Sequence, residues 1–376
     1  TDTKFVLSNT TDLLITATVT VKGTAPQQTQ PATIYLNPHE TRVLDILQDL
    51  VGQQNGGVVK KEGGISITHT GGAGALMARI LISDAGDGYS SVVNFSDPTT
   101  AVSSKLNGGG VRLGAIGNDD LTPVVVARNI GTETATVGGT VPYTNANGEV
   151  VTVTIPNEQI APGGIKTLKI KQALQSANVP SSVKFAGLNL EYSTAPGSVI
   201  MSAQSVSNSG EQVFQVPLLD PERLPSSAGG FPWKVDGDYT TVIFIKNESN
   251  QPRKYNANLT YQGGSYSLGE REIKPFQTVM IDFKSLRDSQ TPDSVGNLIP
   301  LNMQAGQLSW SMIGAGNKQM TGRSEQINTV TGISSTYACY NCCPDNIYLT
   351  GTTFPSNYVT EVGGGIRYYV QGESYN

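Results

Sequence analysis

Apolar and polar residues alternate with a period of two along much of this chain. Leu14-Ile15-Thr16-Ala17-Thr18-Val19-Thr20-Val21 sets apolar side chains against threonine. Residues 134–141 do so more loosely, Val150-Val151-Thr152-Val153-Thr154-Ile155 repeats the theme, and Gly187-Leu188-Asn189-Leu190-Glu191-Tyr192 follows it strictly. Such alternation marks strands with one buried and one wet face, and β-branched residues suit that pleated surface. Turn signals such as Asn147-Gly148, Pro196-Gly197 and Gly263-Gly264 interrupt the runs. They recur every 8–12 residues or so, the rhythm of a sandwich or barrel. Helical patterning is confined to residues 44–50, 171–176 and 284–288, each read as one helical turn between two strands.

The pattern repeats three times. Phe5-Val6-Leu7-Ser8-Asn9 recurs as Val125-Val126-Ala127-Arg128-Asn129 and as Ile243-Phe244-Ile245-Lys246-Asn247, at intervals of 120 and 118 residues. Leu36-Asn37-Pro38-His39-Glu40 answers to Ile160-Ala161-Pro162-Gly163-Gly164 and Ile273-Lys274-Pro275-Phe276-Gln277. A turn follows in each repeat, at Gly71-Gly72-Ala73-Gly74, Thr194-Ala195-Pro196-Gly197 and Gly314-Ala315-Gly316. A period this long is a small domain rather than a solenoid repeat. Linkers recur as well: Asp97-Pro98 leads to Ser103-Ser104 and Gly108-Gly109-Gly110, and Asp220-Pro221 leads to Ser226-Ser227 and Gly229-Gly230. The apolar stretches behind them, residues 111–116 and 231–235, are expected to be first strands. The chain begins just before what should be a second strand, so repeat one lacks its first. About seven strands in roughly 115 residues is the size of an immunoglobulin-like sandwich.

The predicted architecture is therefore all-β: three tandem immunoglobulin-like β-sandwich domains plus a short Cys-containing β tail. Repeat one spans residues 1–100, repeat two 101–222, repeat three 223–336 and the tail 337–376.

Composition narrows the function. Only 15% of the 376 residues are charged and the formal net charge is −5. That balance argues against nucleic acid, which selects basic patches, and gives no reason for attraction to an anionic membrane. The longest apolar runs are too short to span a bilayer. No signal-peptide pattern opens the chain, which reads as a processed or truncated product.

The three cysteines crowd into Cys339-Tyr340-Asn341-Cys342-Cys343-Pro344. C-x-x-C is half of a zinc or iron–sulfur site, but a tetrahedral site needs four ligands and no histidine is near in sequence. In an exported protein the ordinary reading is a disulfide, with Cys339 pairing with Cys342 or Cys343. Intermolecular bonding and metal remain open. His39 and His69 read as a turn residue and an exposed strand residue. No Ser/His/Asp or Cys/His constellation and no G-x-S-x-G elbow is present, so the chain is not expected to be an enzyme and no cofactor is required. The loops Asp84-Ala85-Gly86-Asp87-Gly88, Asn118-Asp119-Asp120 and Asp236-Gly237-Asp238 read as turns, with Ca²⁺ as the lesser alternative because each offers few oxygens. Trp233 and Trp310 are read as core before they are read as a sugar-stacking platform. Sequons at Asn9, Asn94, Asn247 and Asn258 carry little weight in a chain so rich in Asn, Ser and Thr.

The linker pattern, Phe231-Pro232-Trp233, and Ser334-Ser335-Thr336-Tyr337-Ala338-Cys339-Tyr340-Asn341-Cys342-Cys343-Pro344-Asp345 resemble uncharacterised secreted bacterial proteins. Those are built of tandem immunoglobulin-like sandwiches, with a Cys-rich segment before a bacterial Ig-like domain. Val362-Gly363-Gly364 with Ile366-Arg367-Tyr368 is similar to the opening of such a domain. The resemblance implies export and a surface or matrix role, and no particular activity.

The expected function is that of an extracellular or bacterial cell-surface structural or adhesive protein. Its partners are copies of itself or other surface proteins and glycans. The alternative is an accessory or glycan-binding array of a larger secreted protein. A missing first strand leaves an open sheet edge, which invites a strand from elsewhere. The candidates for self-association are Asn346, Ile347, Tyr348 and Leu349, and Ile366, Arg367, Tyr368, Tyr369 and Val370.

Overall fold

The computed structural model describes residues 2–23, 31–51, 63–84, 89–95, 97–116, 119–208, 213–224, 227–314, 319–330, 334–338, 369–370 and 373–374. It is all-β with a multi-domain, sandwich-type fold, and helix makes up only 8% of it. Among the described residues no helix is long and apolar enough to cross a membrane. The chain falls into two compact units, Thr1–Asp97 and Pro98–Asn376.

Unit one contains β1 (Asp2–Asn9), β2 (Ile15–Gly23), β3 (Ala32–Leu36), β4 (Thr41–Asp45), β5 (Gly63–His69), β6 (Leu76–Asp84) and β7 (Tyr89–Asn94). They form one sheet in the order β4-β1-β6-β7 and a second in the order β3-β2-β5. The alternating faces meet over Phe5, Leu7, Ala17, Val19, Ile34 and Leu36. A π-helical turn, Ile46–Val51, follows β4. The helical turn expected from residue 44 therefore starts at Ile46, because Leu44 and Asp45 still pair with Phe5 and Lys4 of β1.

Unit two holds two sandwiches. The first comprises β8 (Lys105–Arg112), β9 (Gly114–Ile116), β10 (Asp119–Asn129), β11 (Ala135–Thr144), β12 (Val150–Ile160), β13 (Ile165–Thr167), α1 (Ile170–Ser176), β14 (Phe185–Tyr192), β15 (Val199–Ser207) and β16 (Val213–Val216). The second comprises β17 (Ala228–Lys234), β18 (Tyr239–Asn247), β19 (Arg253–Tyr261), β20 (Gly264–Ile273), β21 (Thr278–Asp282), α2 (Phe283–Asp288), β22 (Ala305–Ile313), β23 (Met320–Asn328) and β24 (Ser334–Ala338). The sheet orders β12-β11-β14-β8 and β13-β10-β15-β16 are matched strand for strand by β20-β19-β22-β17 and β21-β18-β23-β24. Each sandwich closes over its own core, one around Val125, Val137, Leu188 and Ala203, the other around Ile243, Ala257, Leu308 and Trp310.

The first strands begin earlier than the sequence suggests. Gly108, Gly109 and Gly110 lie within β8, and Gly229 and Gly230 within β17. Glycine weakens a strand unless another group must approach closely, and here it must. A Cβ on Gly109 would lie 3.1 Å from Lys246 Cβ, and one on Gly229 would lie 2.7 Å from Trp310 Nε1.

The repeated sequence markers have one physical job. Asn9, Asn129 and Asn247 are buried at the end of equivalent strands. Each Oδ1 accepts at 2.9 Å from the backbone N–H two residues on, in Thr11, Gly131 and Ser249. Each Nδ2 donates to the carbonyl four residues on, in Leu13, Glu133 and Gln251, and to a carbonyl of the facing strand end, in Leu36, Ile160 and Ile273. A buried carbonyl without a partner is costly, so this amide is a staple on which each sandwich corner depends. The proline-marked turn is equally regular: His39, Gly163 and Phe276 all adopt left-handed backbone, with φ of 57°, 73° and 57°.

Candidate functional site

The residues singled out in sequence do not converge. His39 sits in its turn, with Nε2 2.8 Å from Asp12 Oδ1 at the surface, and His69 ends β5, exposed. Trp233 and Trp310 are buried in the core of the third sandwich, where Trp233 stacks on Phe283 at 5.6 Å. They present no face to a sugar. Asp236 lies 3.5 Å from Lys234 Nζ, and among the described residues no three His, Cys, Asp or Glu side chains gather to hold a metal ion. Cys339, Cys342 and Cys343 lie outside the described residues, as do Asn346, Ile347, Tyr348, Leu349, Ile366, Arg367 and Tyr368. Tyr369–Val370 pairs antiparallel with Glu373–Ser374 as β25 and β26, a two-stranded sheet of their own.

A dense buried constellation does exist, between the two sandwiches of unit two. It is built from β8 and β14 on one side and β18 and β23 on the other. Lys246 is fully buried beside Glu248, whose side chain is 2% exposed. Its Nζ donates to Glu248 Oε2 at 2.5 Å, to Asn189 Oδ1 at 2.6 Å and to the Leu188 carbonyl at 3.1 Å. Glu248 also accepts from Asn107 Nδ2 and Thr321 Oγ1, each at 2.9 Å. Burial pushes the Lys246 ammonium below the ordinary lysine pKa, and Glu248 pulls it partly back.

A second cluster lies alongside. Glu325, with a fully buried side chain, accepts from Arg112 Nε at 2.5 Å and from Arg323 Nη1 at 2.9 Å. Arg323 also donates through Nε to the Gly109 carbonyl at 2.8 Å and through Nη2 to the Gly110 carbonyl at 2.6 Å. Those carbonyls are available because of a bulge: opposite β14, Ala186 pairs with Val111 and Gly187 with Gly109, leaving Gly110 unpaired with φ of 77°. A glycine in left-handed backbone is the usual device for such a bulge. Phe244 fills the space beneath, 4.4 Å from the Arg323 guanidinium and 5.5 Å from that of Arg112. Phe185 meets its ring edge-on.

Three cations thus meet two carboxylates; Lys246 and Arg323 also donate to backbone carbonyls, whereas Arg112 Nη2 is buried with no hydrogen-bond partner among the described residues. Each carboxylate oxygen of both glutamates accepts at least one hydrogen bond. A cavity of about 20 Å³, lined by residues including Gly108, Phe244 and Arg323, has room for one water molecule and none for a substrate. What this arrangement can do is hold two modules in one register.

A further clasp ties the two linkers to each other. Asp220 caps the turn Pro221–Arg223 through Glu222 N. It also accepts from Val102 N and Ser103 N, each at 2.9 Å, and from Ser103 Oγ at 2.6 Å. Burial raises its carboxyl pKa, but these hydrogen bonds outweigh that and hold it below the usual aspartate value.

Sequence reading missed Arg112, Glu248, Arg323 and Glu325, and treated Lys246 only as part of a repeat marker. The apolar run Val242-Ile243-Phe244-Ile245 is buried on both faces, but its counterpart Val124-Val125-Val126-Ala127 is equally unbroken in sequence and alternates buried with half-buried positions, so the run alone does not mark the joint. Comparison with protein-family models, curated proteins and solved structures finds no match to the chain.

Proposed function

We propose that this chain is an extracellular or cell-surface structural protein that spaces, attaches and assembles head to tail through strand exchange. The supporting observation is the joint. The most elaborate polar construction among the described residues joins one sandwich to the next, with Lys246, Arg112 and Arg323 each bonded to a partner across it. A buried ionic network adds little net stability compared with an apolar interface, but it strongly penalises any arrangement that leaves a charge unpaired. A protein that transmits force or holds a spacing needs a fixed register of this kind.

Export is supported by the resemblance of the linker and cysteine segments to secreted bacterial proteins, and it implies oxidised cysteines. Thiol titration of the denatured, non-reduced chain should find fewer than its three cysteines free; three free thiols would count against export. Electron microscopy of the purified full chain over a concentration series tests assembly. Linear head-to-tail particles are expected, and a chain that remains monomeric throughout refutes that part.

A further inference from the structure

Among the described residues, unit one shows no counterpart of β8 or β17. In unit two, β8 and β17 flank β14 and β22 as the outer strand of their sheets. In unit one the equivalent sheet stops at β5, and among the described residues nothing pairs with its outer edge. The core registers the gap. Register through β2 and its counterparts makes Ile65 and Ile67 equivalent to Leu188 and Leu190, and to Leu308 and Trp310. The latter four are 0%, 1%, 0% and 4% exposed, whereas Ile65 and Ile67 are only partly buried, as are Leu76, Ala78 and Ile80 across the core.

The chain carries a second copy of the β8 sequence pattern. Gly108-Gly109-Gly110-Val111-Arg112 in β8 reappears in the tail as Gly363-Gly364-Gly365-Ile366-Arg367, continuing Tyr368-Tyr369-Val370. β17 has the same form, a glycine pair followed by alternation, with Phe231 and Trp233 buried beneath it. In an extended strand Ile366, Tyr368 and Val370 share one face, as Phe231, Trp233 and Val235 do. The tail's own pairing of Tyr369–Val370 with Glu373–Ser374 involves only two residues a side, too short a ladder to hold on its own.

We propose that the outer edge of β5 is the acceptor, and residues 363–370 of a second copy are the donor, of the strand exchange. Backbone hydrogen bonds along β5 would supply affinity; in the register of β17 on β22, Ile366 would lie beside Ile65, Gly364 beside Ile67 and Tyr368 beside Gly63. The choice of a second copy rests on the self-assembly reading above. A donor and an acceptor on different parts of one chain join heterologously, and such contacts build open filaments when the rotation does not close.

The test uses the full chain carrying Ile366→Asp with Tyr368→Asp, whose own tail cannot seat, and a synthetic peptide of residues 361–372. The peptide should bind saturably and slow amide exchange in residues 63–69 at least about tenfold. A peptide with the same two changes should do neither, and the doubly substituted chain should be monomeric where the unaltered chain assembles. Absence of protection at residues 63–69 overturns the acceptor, whatever the chain's oligomeric state. Assemblies that survive the double substitution overturn the donor and leave self-assembly standing. An unaltered chain that stays monomeric while its own tail protects residues 63–69 overturns the second copy as occupant.

Discussion

Gly110→Ala should weaken unit two more than its single added methyl group suggests. Two effects add. Gly110 has φ of 77°, and an L-residue in left-handed backbone costs about 1–2 kcal/mol. The new Cβ would also lie 2.2 Å from Phe244 Cγ and 2.5 Å from Cδ1. Phe244 cannot step aside, because Phe185 and the guanidinium groups of Arg112 and Arg323 surround it. Forcing extra volume into a packed site costs about 1–3 kcal/mol, for a total near 2–5 kcal/mol. Gly163→Ala is the control. Its φ is 73° but nothing lies within 4 Å of its Cβ position, and the equivalent positions are occupied by His39 and Phe276. It should lose only the strain, about 1–2 kcal/mol. Urea unfolding followed by far-UV circular dichroism, which reports the strands of both sandwiches, reads both. If Gly110→Ala costs no more than Gly163→Ala, the contact of β8 with Phe244 is not the tight packing described.

Glu325→Ala should be among the most damaging single changes in unit two, by about 3–5 kcal/mol, because it strands two buried guanidinium groups; a loss below 1 kcal/mol in urea unfolding would place them in solvent. Asn129→Ala should cost about 1–3 kcal/mol by orphaning the Glu133 and Ile160 carbonyls, and intact-mass analysis of a secreted, glycosylating expression should find its counterparts Asn9 and Asn247 unmodified. Asp220 has a folded pKa below its unfolded value of about 4. Its contribution is therefore present above that value and lost as pH falls through the lower folded one. Stability measured from pH 7 downward should show a shallower acid limb in Asp220→Asn, and identical acid limbs would refute the clasp.

Much of the fold is written in local pattern. Threonine alternation in β2 and strict alternation in β14 identify half-buried strands, and the recurrence of Asn9, Asn129 and Asn247 marks a corner that each sandwich must staple in the same way. The glycines of β8 mislead because their reason lies elsewhere: Gly109 and Gly110 make room for Lys246 and Phe244, over 130 positions away. The joint is illegible for the same cause. Arg112 meets Glu325, and Arg323 meets Gly109, across 213 and 214 positions, and no period in the chain relates them. The equivalent of Lys246 in the β8–β16 sandwich is Arg128, and that of Glu248 is Ile130, so the repeat itself gives no hint of a charge network. That no described strand pairs with the outer edge of β5, and that Ile65 and Ile67 are only partly buried beside it, needed coordinates.

Calorimetry of the full chain measures the coupling of the two sandwiches most directly. If the buried joint makes them one cooperative body, the part of the chain from Pro98 onward should unfold in a single endotherm. Its calorimetric and van't Hoff enthalpies should agree, and Glu325→Ala should split it in two. Two separate endotherms from unit two of the unaltered chain, undisturbed by Glu325→Ala, would show that the sandwiches are merely adjacent.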